Sequence, residues 1–228
     1  DIPSAEKEIE EYFGTIPKGK EDIYRPKFGA LKQNAEIRDT LYDNIQLPLV
    51  LQAYHMPPQG TPDYYALNML TTLLSTGRSS RLYKEVVDKE QKAVQVGSFP
   101  FALEGPGLFI AYGICNAGVK ANDLEKAMQD QLDLAKKKLI TNEEFQKIRN
   151  QIKNNFVNQN ATDAGVAENL AQYHVFYGNT NLINTEIERF MKVTRDDIKK
   201  VADKYLNKDN RVVLYYLPKS LEPKKEGK

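Results

Sequence analysis

Two arginines and two serines crowd the middle of LLSTGRSSRLYKEV, Leu73 to Val86, where Arg78, Ser79, Ser80 and Arg81 stand in a row. Small residues that lead into a helix leave backbone N–H groups free to hold an anion or a carbonyl oxygen, and arginine adds charge to the same task. The spacing is not that of a phosphate-binding loop, because no Gly-Lys-Ser/Thr is present. Serine at a helix start is a cap before it is a nucleophile. No G-x-S-x-G elbow occurs in the chain. The stretch reads first as a turn between two helices, with a substrate or interface loop as the alternative.

Metal chemistry needs donors that gather. The chain has two histidines, His55 and His174, and neither has another within two helical turns in sequence. A zinc site draws on three or four Cys, His or carboxylate ligands, often including a closely spaced pair. Each histidine therefore reads as a packed or half-exposed side chain, and no metal site is expected in this chain. The single cysteine, Cys115, lies in the apolar run FIAYGICNA and reads as a small buried hydrophobe. Carboxylates alternate with lysines along helical stretches such as KAMQDQLDLAKKK, the pattern of a solvated face.

The elements that would have to position these residues follow from periodicity and punctuation. With 228 residues, 41% of them hydrophobic, the chain can bury a substantial core. A net charge of +1 argues against a dedicated nucleic-acid binder. No apolar run approaches the roughly 18–20 residues of a membrane span. Residues 35–43 and 46–57 read as strands, with Leu49, Leu51, Ala53 and His55 sharing one face of the second. Thr61-Pro62-Asp63 opens a buried helix that stops near Gly77, and a second helix starts near Ser79 or Ser80. AVQVGSFPFAL and GLFIAYGICNA form a hairpin. Five helices follow. Capping boxes are expected at Asn122 with Glu125, Thr141 with Glu144 and Thr194 with Asp197, and a stop at Gly178. RVVLYYLP is a closing strand. The order ββ αα ββ ααααα β indicates an α+β fold, a mostly antiparallel sheet with helices packed on one face.

At the loop the sequence meets a known family. PPQGTPDYYALNMLTTLLSTGRSSRLYKEVVDKEQKAVQVGSF resembles the pitrilysin-type zinc metalloproteases, which include insulin-degrading enzyme, the mitochondrial processing peptidase and the bc1 core proteins. The most specific part runs from Asp63 to Ala93 and contains SSRLY. The resemblance implies a processing-peptidase-type domain over residues 31–218. Residues 1–30 would then be the closing helix of a preceding domain plus a linker, and residues 219–228 a charged tail. The start, without an initiator Met, fits a piece of something longer.

Catalytic domains of that family carry an inverted H-x-x-E-H motif, whose two histidines bind zinc and whose glutamate activates water. This chain has no such motif. The resemblance therefore implies an inactive, non-catalytic domain with no cofactor of its own. It would complete the peptide-substrate chamber of a zinc endopeptidase whose zinc sits in a partner H-x-x-E-H domain or subunit. A scaffold of the same fold without protease activity is the alternative. In many non-catalytic halves an Arg, and seven residues later a Tyr, reach the substrate; Val87 and Val94 stand at those positions here. No nucleic-acid partner is implied. The compartment stays open, the bacterial periplasm or cell envelope being one candidate.

Overall fold

The computed structural model describes residues 1–223 except 22, 23, 25, 26, 28, 30 and 32. Its long helices begin where local chemistry satisfies their free N–H groups. The Thr61 hydroxyl accepts from the Tyr64 N–H at 3.3 Å and Pro62 occupies the first turn, so α2 starts there and runs Pro62–Ser75. α4 (Asn142–Gln159) and α7 (Arg195–Tyr205) open on the expected Thr141–Glu144 and Thr194–Asp197 capping boxes. α5 (Asp163–Tyr177) ends on left-handed Gly178, α6 is Leu182–Lys192, and α1 is Ile2–Phe13. One expected box is absent. α3 (Ala121–Lys137) starts one residue before Asn122, after Lys120, which makes no side-chain cap bond. Glu125 is engaged by Arg38 and the Tyr215 hydroxyl instead of reaching back to the helix start.

The strands are β1 (Ile37–Asp43), β2 (Leu49–Met56), β3 (Ala93–Phe101), β4 (Gly107–Cys115) and β5 (Arg211–Pro218). They form one sheet in the order β1-β5-β2-β4-β3. The β3–β4 hairpin is as expected, and its second strand opens on Gly107, where a Cβ would lie 2.4 Å from the Phe101 carbonyl oxygen. β1 and β2 are not a pair. The last strand inserts between them, antiparallel to β2 and parallel to β1. Alternation fixes which face of a strand is buried, not which strand lies beside it.

α2, α3 and α7 pack on one face of this sheet, while α4 and α6 pack on α2 and α5 on α6. The core between the layers takes Val50, Tyr54 and Met56 from β2, Leu67 and Leu70 from α2, and Leu124 and Met128 from α3. The fully buried face of β2 is thus the even-numbered one. The expected set Leu49, Leu51 and His55 is only half-buried, with Ala53 more enclosed among them. The segment after the loop also differs from expectation: Tyr83–Lys89 is π-helical, and the Glu90 N–H reaches the Glu85 carbonyl at 2.8 Å.

A buried polar network ties the parallel edge to the helices. Arg211, only 3% exposed, donates to Glu36 through Nε at 2.7 Å and to Gln129 through Nη1 at 2.5 Å. The Tyr54 hydroxyl and the Gln52 amide converge on the same Gln129 oxygen. Arg38 bridges Glu36 and Glu125. The tail beyond residue 218 is in part ordered, as a 3-10 turn over Lys219–Leu221, and its last five residues lie outside the described set.

Candidate functional site

The TGRSSR loop sits at the α2 C-terminus, with Gly77 at φ +76° making the turn. Arg78 and Ser79 are exposed, and Ser80 is buried. Arg81 folds back onto α4, where Nε and Nη2 each donate to the Glu144 carboxylate at 2.9 Å. Lys147 donates to the Ser79 carbonyl at 3.1 Å and to its hydroxyl at 2.7 Å. The Arg81 guanidinium, ahead of the Thr141 backbone N–H, lowers the Glu144 carboxyl to about 2 against the cost of burial. Half of the loop is therefore engaged in fastening α2 to α4. Val87 is half-buried against the core on the π-helical segment, and Val94 is exposed at the start of edge strand β3. Asp63, in the most specific part of the resemblance, joins helices as well. It accepts from Lys204 Nζ at 2.7 Å and the Tyr205 hydroxyl at 2.8 Å.

The residues do not fit a zinc ion. His55 lies on β2 and His174 on the exposed side of α5, and among the described residues no group of three or more His, Cys, Asp or Glu could hold a metal. Cys115 ends β4 fully buried, and burial pushes its thiol up to about 11.

Two features were not singled out in the sequence. The first is the sheet face turned away from the helices. Register places Tyr112, Leu51 and Leu214 side by side there, with Ile110, Ala53 and Val212 in one adjoining row and Ile114, Leu49 and Tyr216 in the other. At its margins Ile37, Leu41, Phe99 and Phe101 are 43–53% exposed. α1 carries a second apolar stripe that covers nothing, with Ile9, Tyr12 and Phe13 at least 58% exposed.

The second feature is a polar crevice of about 320 Å³ between α2, α4, α5 and α6. Glu186 lies on its wall and accepts from the Tyr65 hydroxyl at 3.3 Å and from the Tyr173 hydroxyl. Burial, followed by the Glu186 charge, pushes the Tyr64 hydroxyl up to about 12. The Tyr177 hydroxyl is raised too, first by burial and then by Tyr64 and Glu186. Tyr177 packs over Gly60, where a Cβ would come within 2.9 Å of its ring. The signals for this crevice were faint. Its residues come from four helices, and α5, in AENLAQYHVFYG, mixes apolar and polar residues around its circumference rather than gathering the apolar ones in one stripe.

The chain is thus an α+β domain, a five-stranded sheet with helices packed on one face. Residues 1–152 match the family model described as the Peptidase M16 inactive domain, and the chain belongs to that family. Among curated relatives, the zinc protease PqqE of Helicobacter pylori is 29% identical over 176 residues, covering 77% of this chain and 39% of its own length. The crystal structure of a protease from Helicobacter pylori superposes with a TM-score of 0.86 at 24% identity, over 96% of this chain and 53% of that one. A peptidase M16 inactive domain from Pseudomonas fluorescens gives a TM-score of 0.76 at 18% identity, over 96% of this chain and 51% of that one. The chain thus spans about two-fifths of the curated relative and half of these crystallised chains.

Proposed function

We propose that this domain is the non-catalytic half of a zinc-dependent endopeptidase, and that it closes a peptide chamber against a catalytic H-x-x-E-H domain. The zinc would reside in that partner. The observation that carries the reading is the apolar sheet face around Leu51, Ile110 and Leu214, uncovered among the described residues, in a domain whose helices α2 to α7 pack on the other side. A second apolar surface on α1 supports it, as expected of a helix that packs on the preceding domain rather than on its own. Buried against a partner, such a face would supply the apolar centre of a stable interface.

Substrate would enter in extended form and add to the free edge of β3, one of the sheet's two edge strands. Val94 and the exposed Arg78 are the parts of the sequence-derived site left available to a partner. Neither Val87 nor Val94 has a side-chain donor, so the contribution is shape and backbone hydrogen bonding rather than stabilisation of the transition state.

Complementation tests this. The purified chain should carry no stoichiometric zinc and cleave no unfolded peptide. Added to a catalytic domain of the same family encoded with it, the chain should raise chelator-sensitive cleavage at least tenfold. A stable complex with no gain in cleavage would establish the scaffold alternative instead.

A further inference from the structure

We propose that the crevice between α2, α4, α5 and α6 is a binding site for an alkyl cation, an ammonium or guanidinium group, held by the Glu186 carboxylate among the rings of Tyr64, Tyr173 and Tyr177. Glu186 contributes the only formal charge among the lining residues. Among the described residues no lysine, arginine or histidine nitrogen stands within 4.0 Å of its carboxylate, whereas other part-buried carboxylates here, such as Glu36, Glu125 and Glu144, have such a partner. Arg189 does not fill that role. It donates to the Tyr65 hydroxyl at 3.3 Å and lines the neighbouring cleft beside Asp63. Two tyrosine hydroxyls donate to Glu186, which holds it as an acceptor and fixes its direction.

The wall chemistry selects the ligand. A carboxylate repels anions. An apolar ligand would set its surface against the Glu186 carboxylate and the polar amides of Asn155 and Gln172. A cation meets the carboxylate at one end and aromatic rings along its stem, the combination that recognises ammonium and guanidinium groups. The volume, about 320 Å³, accommodates one lysine or arginine side chain. Two sources can supply that chemistry, a basic residue of a peptide or a free amine. The crevice lies on the helical layer, away from the open sheet face, so the assignment is independent of how the domain docks.

The test is titration calorimetry on the 228-residue chain with acetyl-lysine-amide and acetyl-arginine-amide peptides, spermidine, and the neutral isosteres ε-acetyl-lysine and citrulline. Saturable, salt-sensitive binding of the cationic probes is expected, with the neutral isosteres and Glu186→Gln each weakening it by roughly tenfold or more. Spermidine binding more tightly than the peptides would identify a free amine as the source, and the reverse a basic peptide; either supports the site. Chemical-shift perturbation on the unmodified chain keeps the test independent of variant folding, and the Tyr177 and Phe190 ring signals should shift. Equal binding of neutral and cationic probes, absence of saturation, or shifts confined to other residues would overturn the assignment.

Discussion

The Arg81 guanidinium grips the Glu144 carboxylate with two parallel bonds of 2.9 Å, and Glu144 is also the residue that closes the α4 capping box with Thr141. One carboxylate therefore fastens the α2 loop and starts α4. The pair is only partly enclosed, with side chains 15% and 29% exposed, so its value is well short of that of a buried ion pair.

Arg81→Ala should cost about 1–2 kcal/mol in urea unfolding, and Arg81→Lys should recover little because an ammonium cannot form the two-pronged contact. Glu144 has a folded-state pKa of about 2 against an ordinary 4.5. A depressed carboxyl stabilises the fold above its unfolded value and loses that contribution as pH falls toward the folded value. The gap between the native chain and Arg81→Ala should thus be full above pH 5 and narrow steadily toward pH 2. A gap that widened on acidification would contradict the assignment.

Gly60 combines a φ of +82° with a Cβ position 2.9 Å from the Tyr177 ring. Gly60→Ala should lose about 1–2 kcal/mol by thermal unfolding, through backbone strain and displacement of the ring. Gly118, at φ +80° with open space around it, is the control. Gly118→Ala carries the strain alone and should cost less.

Arg211→Ala should leave Glu36 and Gln129 without their shared donor at the β1–β5 boundary, costing about 2–4 kcal/mol. Because β1 pairs only with β5, hydrogen exchange should accelerate first in Ile37–Asp43. Uniform loss of protection across the sheet would show that the network does not act locally.

Much of the fold was legible because local chemistry and long-range packing agree. Thr141 and Thr194, each followed by an acidic residue three positions on, cap where expected. Asn122 with Glu125 has the same spelling and fails, because Arg38 and Tyr215 compete for Glu125 from strands far away in sequence. Strand order divides the same way: the hairpin was readable from its short connection, whereas the insertion of β5 between β1 and β2 depends on contacts spanning most of the chain. For the site, sequence marked the TGRSSR loop, whose Arg81 and Ser79 bond to α4. It passed over the open sheet face because Leu51 and Ile110, read alone, resemble ordinary core positions. Glu186 was equally silent, one acid among many until α2 and α5 bring tyrosines around it.

If the sheet face is the docking surface, charge placed on it should spare the fold and abolish assembly. Leu51→Asp and Ile110→Asp, each half-buried on the side away from the helices, should shift the unfolding midpoint by only a few degrees, on the scale of about 1 kcal/mol. The most direct measurement titrates a catalytic H-x-x-E-H partner with the native chain and with each variant, reading cleavage of an unfolded peptide. The account predicts dose-dependent activation by the native chain and at least a tenfold loss with either folded variant. Activation by the variants equal to that by the native chain would contradict it.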